Sequence, residues 1–350
     1  MDIVIMKNEN HNLIKVAYNW FVTIICLVFF NSCENKRDAL GADNEIRVIC
    51  SEIDKAHIQQ YLKEIFIDTL YTPEPEPFYH LKFSAPETFS ELKSQSQVVV
   101  ATIDEETNSS GYRLIRKLLP EKDFNSMRVS NPVLISQNIY AKKQLFMIIN
   151  ANSIEQLIPT IDEKRNGIRK LFREHFIKRQ HPFLFNDHMN ESIQDSLIEK
   201  FGWDIRVPWG WEIIKIKQDS NFVWLGKEMP FQWIGIGWES GNLVNDELSA
   251  GNHIWNWMQV NYGTVRINNY KFKLDKTELK SGLAWRAQGI WETIDLKDSK
   301  GGPFKSYMFY DDKNDKTYHL NYLIHHPGKD KSIFMRQMDM IIKTFKIIDK

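Results

Sequence analysis

Disulfides, a dominant charge and signature catalytic motifs are what this chain conspicuously lacks. Its 350 residues hold only three cysteines, Cys26, Cys33 and Cys50, too few for a disulfide scaffold. Lysine plus arginine and aspartate plus glutamate both total 45, so no sign of charge prevails. Proteins that bind nucleic acid draw affinity from neutralising phosphates and carry a basic excess, so no nucleic-acid partner is expected. No Gly-x-Ser-x-Gly, His-Glu-x-x-His or Ser-x-x-Lys pattern occurs. Gly235-x-Gly237 with Gly241 follows a strand but no helix opens there, so a phosphate loop is not indicated. The glycines fit close packing or a bulge better. Asp311–Asp315 lacks the spacing and closing glutamate of a calcium loop and reads as a hairpin turn. Neither a cofactor nor a metal is called for.

Apolar material is plentiful: 43% of residues are hydrophobic and 26% charged, the balance of a globular protein. A chain this long exceeds the size at which single cores stop growing, which favours two domains. The first apolar run, residues 16–30 (VAYNWFVTIICLVFF), follows Lys7 and Lys15 and ends at Asn31-Ser32-Cys33. It is shorter than the roughly 20 residues of a spanning helix and has the parts of a secretory signal. A small residue directly before a cysteine is the lipobox arrangement of bacterial lipoproteins, in which that cysteine receives lipid and becomes the new N-terminus. This reading is preferred to a plain signal anchor or a buried core helix. It makes 1–32 a lipoprotein signal peptide, Cys33 the lipid attachment point and 33–44 a polar tether. The location expected is the cell envelope: lipid-anchored at the outer membrane, facing the periplasm or the surface. Cys50 is then left without a partner and reads as a small buried hydrophobe.

Residues 45–185 alternate strand and helix signals and predict an α/β layered domain. Val98–Ile103 and Leu145–Ile149 are continuous apolar runs of the kind found in strands covered on both faces. Thr72–Pro77 (TPEPEP) reads as an extended surface connection, because its prolines fix φ and remove donors. Ser153 and Gln156 suggest a capping box opening a long helix, and His181–Asn190 suggests a boundary. The second domain, 191–350, is tryptophan-rich: ten of the eleven tryptophans fall between Trp203 and Trp291. Its hairpin-linked strands between helices imply an antiparallel sheet. The fold class expected is α+β.

Several of these features carry a family resemblance: Cys33, the opening strand before an amphipathic helix, the Pro-Glu run and the Trp-rich second half from Phe201. Together they resemble the domain of unknown function 4837 family of Bacteroidota lipoproteins, which implies an envelope location and no particular activity. Residues 195–350 are also similar to the Mog1/PsbP type of α/β/α sandwich. That similarity rests on Trp203–Trp209 and on Thr344-Phe345-Lys346 near the closing helix. Members of that fold mostly bind partner proteins or help assemble complexes, but a fold alone does not transfer function.

Two surfaces are candidates for chemistry. Most tryptophans read as core, because Trp285 and Trp291 share a strand face with Ala287 and Gly289. Trp209 and Trp255, near a turn and off the helical stripe, are the candidates for exposed aromatics that could stack on a glycan. On the strand at 316–326, His319, Asn321 and His325 oppose Tyr318, Leu320, Tyr322 and Ile324. If that strand lies near 284–294, then Arg286, Gln288, Glu292, His319, Asn321 and His325 form one polar surface. A solvated or helix-covered sheet face is the plainer reading. The function expected is a non-catalytic envelope factor binding a protein or glycan partner, with a hydrolase working around His319 and His325 as the alternative.

Overall fold

The computed structural model describes residues 36–348 apart from 104–108, 187–188, 280–281, 296 and 298. The signal run and Cys33 lie outside the described residues. In chain order the first half runs β1 (Glu45–Cys50), α1 (Glu52–Ile65), the short pair β2 (Thr69–Leu70) and β3 (Glu76–Pro77), β4 (His80–Ser84) and α2 (Phe89–Leu92). Then come β5 (Gln97–Thr102), α3 (Ser110–Leu118), α4 (Glu121–Val129), β6 (Val133–Gln137), β7 (Leu145–Asn150) and α5 (Ile154–Phe185). Five strands form a sheet of order β4-β1-β5-β7-β6, parallel except for β6.

Helices on both faces explain the unbroken apolar runs of β5 and β7. Val99, Ala101, Met147 and Ile149 pack towards α1 and α5. Val98, Val100, Phe146 and Ile148 pack towards α3 and α4. Cys50 is buried and free, and burial pushes its thiol up to about 12. It is an inert apolar filler.

Two local expectations need correction. The polar stretch read as a tether is docked from Asp38 onward: Ala39 N–H donates to Lys142 C=O at 2.8 Å and Leu40 N–H to Ser94 C=O at 3.0 Å. Asp43, buried, accepts from Arg179 and Gln180 of α5, each at 2.5 Å. A polar segment looks solvated when its partners are distant in sequence; those that bury Asp43 stand more than 130 residues away. The capping box is also replaced, since Ser153 makes no side-chain cap and Gln156 instead accepts from Asn152 N–H at 2.9 Å. Within the stretch His181–Asn190 read as a boundary, α5 continues past Pro182 and ends at Phe185.

The second half runs α6 (Glu191–Phe201), β8 (Trp203–Asp204), β9 (Glu212–Lys217), β10 (Phe222–Lys227), β11 (Phe231–Ser240) and α7 (Glu247–Tyr262). It continues through β12 (Val265–Leu279), β13 (Gly282–Thr293), β14 (Gly301–Asp311), β15 (Lys316–His325), α8 (Ser332–Ile342) and β16 (Lys346–Ile347). Seven of these strands make an antiparallel sheet of order β12-β13-β14-β15-β11-β10-β9. Residues of α7 cover one face with Trp257, Trp285 and Trp291. Residues of α8 and α6 cover the other with Tyr318, Leu320 and Tyr322. The whole is α+β, an α/β layer followed by an antiparallel sheet between helices.

Two glycines set the closeness of α7. A Cβ at Gly235 would stand 2.4 Å from the Tyr262 hydroxyl, and one at Gly237 would stand 2.8 Å from the Trp257 ring. The Gly-x-Gly of β11 is thus a seat for aromatic side chains. No helix among the described residues is long and apolar enough to cross a membrane.

The halves are docked through polar contacts around the loop before α8. Lys331 Nζ donates to Glu76 at 2.6 Å, Asn44 Nδ2 to Ser332 Oγ at 2.9 Å, and Gln337 Nε2 to Gln180 Oε1 at 2.7 Å. His80 contacts Asp330. The Pro-Glu run read as a plain surface connection therefore brings Glu76 to the seam.

Candidate functional site

The six residues expected to share one polar surface do not. Register places Arg286 opposite Tyr307, and Tyr307 opposite Leu320; His319 lies opposite Met308, and Met308 opposite Trp285. Residues facing one another across antiparallel strands point to the same side of the sheet. Arg286, Gln288 and Glu292 therefore occupy the α8 side, whereas His319 and Asn321 occupy the α7 side. Alternation within each strand was legible; the phase between β13 and β15 was set by the intervening β14.

On the α7 side the polar atoms are buried. Asn321 accepts from the Tyr262 hydroxyl at 3.0 Å and donates to Ser306 Oγ at 2.7 Å. His319 is 2% exposed, its ring centroid 4.0 Å from that of Trp257, and neither ring nitrogen has a hydrogen-bond partner among the described residues. Burial, with a smaller push from His253, holds its pKa well below the usual histidine value. It is neutral and has no open route to a substrate. His325 places Nδ1 2.8 Å from the Gly301 carbonyl. Glu292 is tied to Arg266 at 2.8 Å and Asn268 at 2.5 Å; the Asn268 bond first, then Arg266, draws its pKa down. Trp209 is 71% exposed and Trp255 37% exposed, the latter edge-on to Phe272. Among the described residues no three histidine, cysteine or acidic side chains stand together as a metal site.

The α8 side opens into a cleft of about 730 Å³ between α5 of the first half and the antiparallel sheet of the second. Its first wall is the stripe Arg173, Phe176, Ile177, His181 and Phe185 of α5, spaced so that they share one helix face. Its second wall is Arg336, Asp339 and Met340 of α8 with Lys343 one turn on. The floor is the cross-strand pairs Arg286–Tyr307 and Gln288–Lys305. Asp204, Arg206, Thr344 and Lys346 close one end.

From the α8 wall Asp339 organises a tight polar knot with the floor. It accepts from Lys305 Nζ at 2.6 Å, from the Tyr307 hydroxyl at 3.0 Å and from the Tyr322 hydroxyl at 2.9 Å. Burial, and then the Asp339 charge, hold both phenols far above their usual range, so each remains a donor. Arg286 is paired with Asp275 at 2.8 Å and Lys346 with Asp204 at 3.0 Å. Three cations of the lining, Arg206, Arg336 and Lys343, have no carboxylate within 4 Å among the described residues. Arg336 is 7% exposed; its guanidinium lies 3.3 Å from the Phe176 ring centroid and donates to the Tyr79 hydroxyl at 2.9 Å. Such a cleft can hold a ligand by charge and by aromatic contact. Sequence reasoning found Arg286 and Gln288 but missed Arg206, Arg336 and Lys343, which come together only when α8 and the end of α5 meet.

The class defined by this architecture is a two-sheet α+β protein with a cleft at the junction of its halves. The family described as domain of unknown function (DUF4837) matches residues 251–344, in agreement with the resemblance drawn from the sequence. A second, domain of unknown function (DUF8532), matches residues 39–184. The cleft takes walls from both matched regions. No curated protein matches the chain. Among solved structures, the Ran-binding protein Mog1p of Saccharomyces cerevisiae is 9% identical over 42% of this chain and 91% of its own, with a TM-score of 0.30. Cyanobacterial PsbP (CyanoP) from Synechocystis is 9% identical over 42% of this chain and 86% of its own, at 0.29. A chain from Bacteroides thetaiotaomicron is 9% identical over 43% of this chain and 46% of its own, at 0.26.

Proposed function

We propose that the protein is a membrane-tethered envelope lipoprotein, held by lipid on Cys33, that binds a protein or glycan partner without catalysing a reaction. The observation that carries the binding part is the cleft of about 730 Å³ between α5 and the antiparallel sheet. Its size and its place between two packed units are those of ligand sites in general. Among its polar groups, Asp339, Lys305 and Tyr307 are committed to one another, and burial with the Asp339 charge keeps the Tyr307 hydroxyl protonated. The anchoring part rests on the Ser32-Cys33 lipobox after an apolar run. The hydrolytic alternative gains nothing from the geometry, since His319 is sealed beneath Trp257.

A photo-reactive residue in place of Gln288, on the cleft floor, should capture one reproducible molecule in living cells. The same residue in place of Val129, which is 81% exposed on the first half, should not. Equal capture at both positions, or none at Gln288, rejects the cleft as the binding site. The tether has a separate check: Cys33→Ala should abolish palmitate labelling and move the protein to the soluble fraction. Unchanged membrane fractionation would reject anchoring through Cys33.

A further inference from the structure

Building on the reading of the cleft as a binding site, we infer that the part of the partner it seats is an amphiphilic anionic group, which a small amphiphilic anion can mimic. The acidic group, a carboxylate or phosphate, sits at the Arg206–Lys343 end, and the apolar body lies along α5 and α8. The chain as a whole is neutral, with 45 charged side chains of each sign. The cleft departs from that balance: seven lysine and arginine side chains line it against Asp204, Glu278 and Asp339. Local excess in a neutral protein is a property of the site and not of bulk composition.

Pairing sharpens the point. Asp339 is already committed to Lys305 and Asp204 to Lys346, which leaves Arg206, Lys343 and Arg336 without a carboxylate within 4 Å among the described residues. Arg206 is positioned by its own backbone: its N–H donates to Thr344 Oγ1 at 2.9 Å, which sets it beside Lys343. Its guanidinium also lies over the Phe185 ring, 5.5 Å from the centroid. A guanidinium held over an aromatic ring keeps its edge donors free for a carboxylate or phosphate. Arg336 stands two helical turns before Lys343 on the same face of α8, roughly 10 Å along the axis. It is a buried cation packed on Phe176 with neutral partners only, so it adds positive potential deeper in the cleft. Between these charges lie Ile177 and Met340, with Phe176 and Phe185 behind. An inorganic anion would leave that apolar wall wet, and a neutral apolar ligand would leave the cations unused.

Three compounds that share one aromatic body separate these terms: indole-3-acetate, indole-3-acetamide and tryptamine, titrated calorimetrically into the full-length protein in mild detergent. The acetate is expected to bind at least tenfold more tightly than the amide, the amine not at all, and the acetate to weaken between 0.05 and 0.5 M salt. Arg206→Gln with Lys343→Gln, both exposed positions, should reduce acetate affinity at least tenfold with an unchanged melting midpoint. Equal binding of acetate and amide, or a double variant that binds like the parent, overturns the inference. If none of the three binds while the probe at position 288 still captures a cellular molecule, the anion inference fails and the binding-site reading stands. If that probe also captures nothing, both fail.

Discussion

Replacing Asp339 with alanine is expected to cost about 3–5 kcal/mol of stability, the range for removing one partner of a buried pair. The carboxylate accepts from Lys305 Nζ and from two tyrosine hydroxyls, and the Lys305 side chain is only 10% exposed. Its loss leaves an ammonium without counter-charge and two buried hydroxyls without their carboxylate acceptor. Because Asp339 itself is 24% exposed, water relieves part of the penalty, which places the value near the lower bound. The measurement is the urea midpoint of the parent, Asp339→Ala, Asp339→Asn and the double change Asp339→Asn with Lys305→Met. Asparagine should be milder than alanine, because its carbonyl still receives a tyrosine. The double change should recover most of the loss, because it removes the stranded charge. A midpoint for Asp339→Ala within about 0.5 kcal/mol of the parent, the usual range for an inconsequential surface change, would sink the account. The same variants bear on the cleft: with Asp339 neutral, Lys305 is released to the ligand, so anion affinity should rise as stability falls.

Much of this architecture was legible from patterning. Continuous runs at 98–103 and 145–149 announced strands covered on both faces, and the alternation of Trp285, Ala287, Gly289 and Trp291 announced one buried face. Those signals are local, and burial enforces them residue by residue. What was not legible depends on partners distant in sequence. The segment from Asp38 to Asn44 is polar and was read as solvated, yet Asp43 is buried because Arg179 and Gln180 of α5 come to it. Glu76 lies in a Pro-Glu run that looks like an exposed connection, and its carboxylate receives Lys331 across the seam.

The candidate site shows the same limit more sharply. Each of β13 and β15 disclosed which of its residues share a face, but their mutual phase depends on β14 between them. Joining the polar faces of both strands was reasonable chemistry and wrong geometry, because Arg286 shares its side with Leu320 and not with His319. The cations that single out the cleft carry no motif at all. Arg206, Arg336 and Lys343 are ordinary basic residues, 130 residues apart at their first step, made distinctive only by meeting no carboxylate among the described residues. A basic excess summed over the chain could not reveal them, since the chain sums to zero.

The second large effect concerns acid. Stability is expected to fall as pH drops below about 6.5, well before the carboxylates titrate. His175 of α5 is buried and sends Nε2 to the Lys143 carbonyl at 3.0 Å, with no partner at Nδ1 among the described residues. Burial first, then the charges of Arg179, Lys178 and Arg336 against the opposing pull of Asp43, push its pKa down to about 4. The folded-state pKa is therefore depressed below the unfolded value of about 6.5. The unfolded chain takes up the proton first, so stability present above pH 6.5 is lost as pH falls towards 4 and changes no further below it. At pH 5 the loss from His175 alone is about 2 kcal/mol, taking 1.36 kcal/mol per unit. His319, fully buried and shifted in the same direction, adds to it in the same window. Urea midpoints at pH 7.5, 6.0 and 5.0 should decline in that order for the parent. His175→Gln, which can still donate to Lys143, and His319→Leu, of similar volume, should each flatten the decline, and together they should nearly remove it. A parent midpoint constant from pH 7.5 to 5.0 would show that neither imidazole is held neutral by the fold. Equal slopes in parent and double variant would place the acid sensitivity elsewhere in the protein.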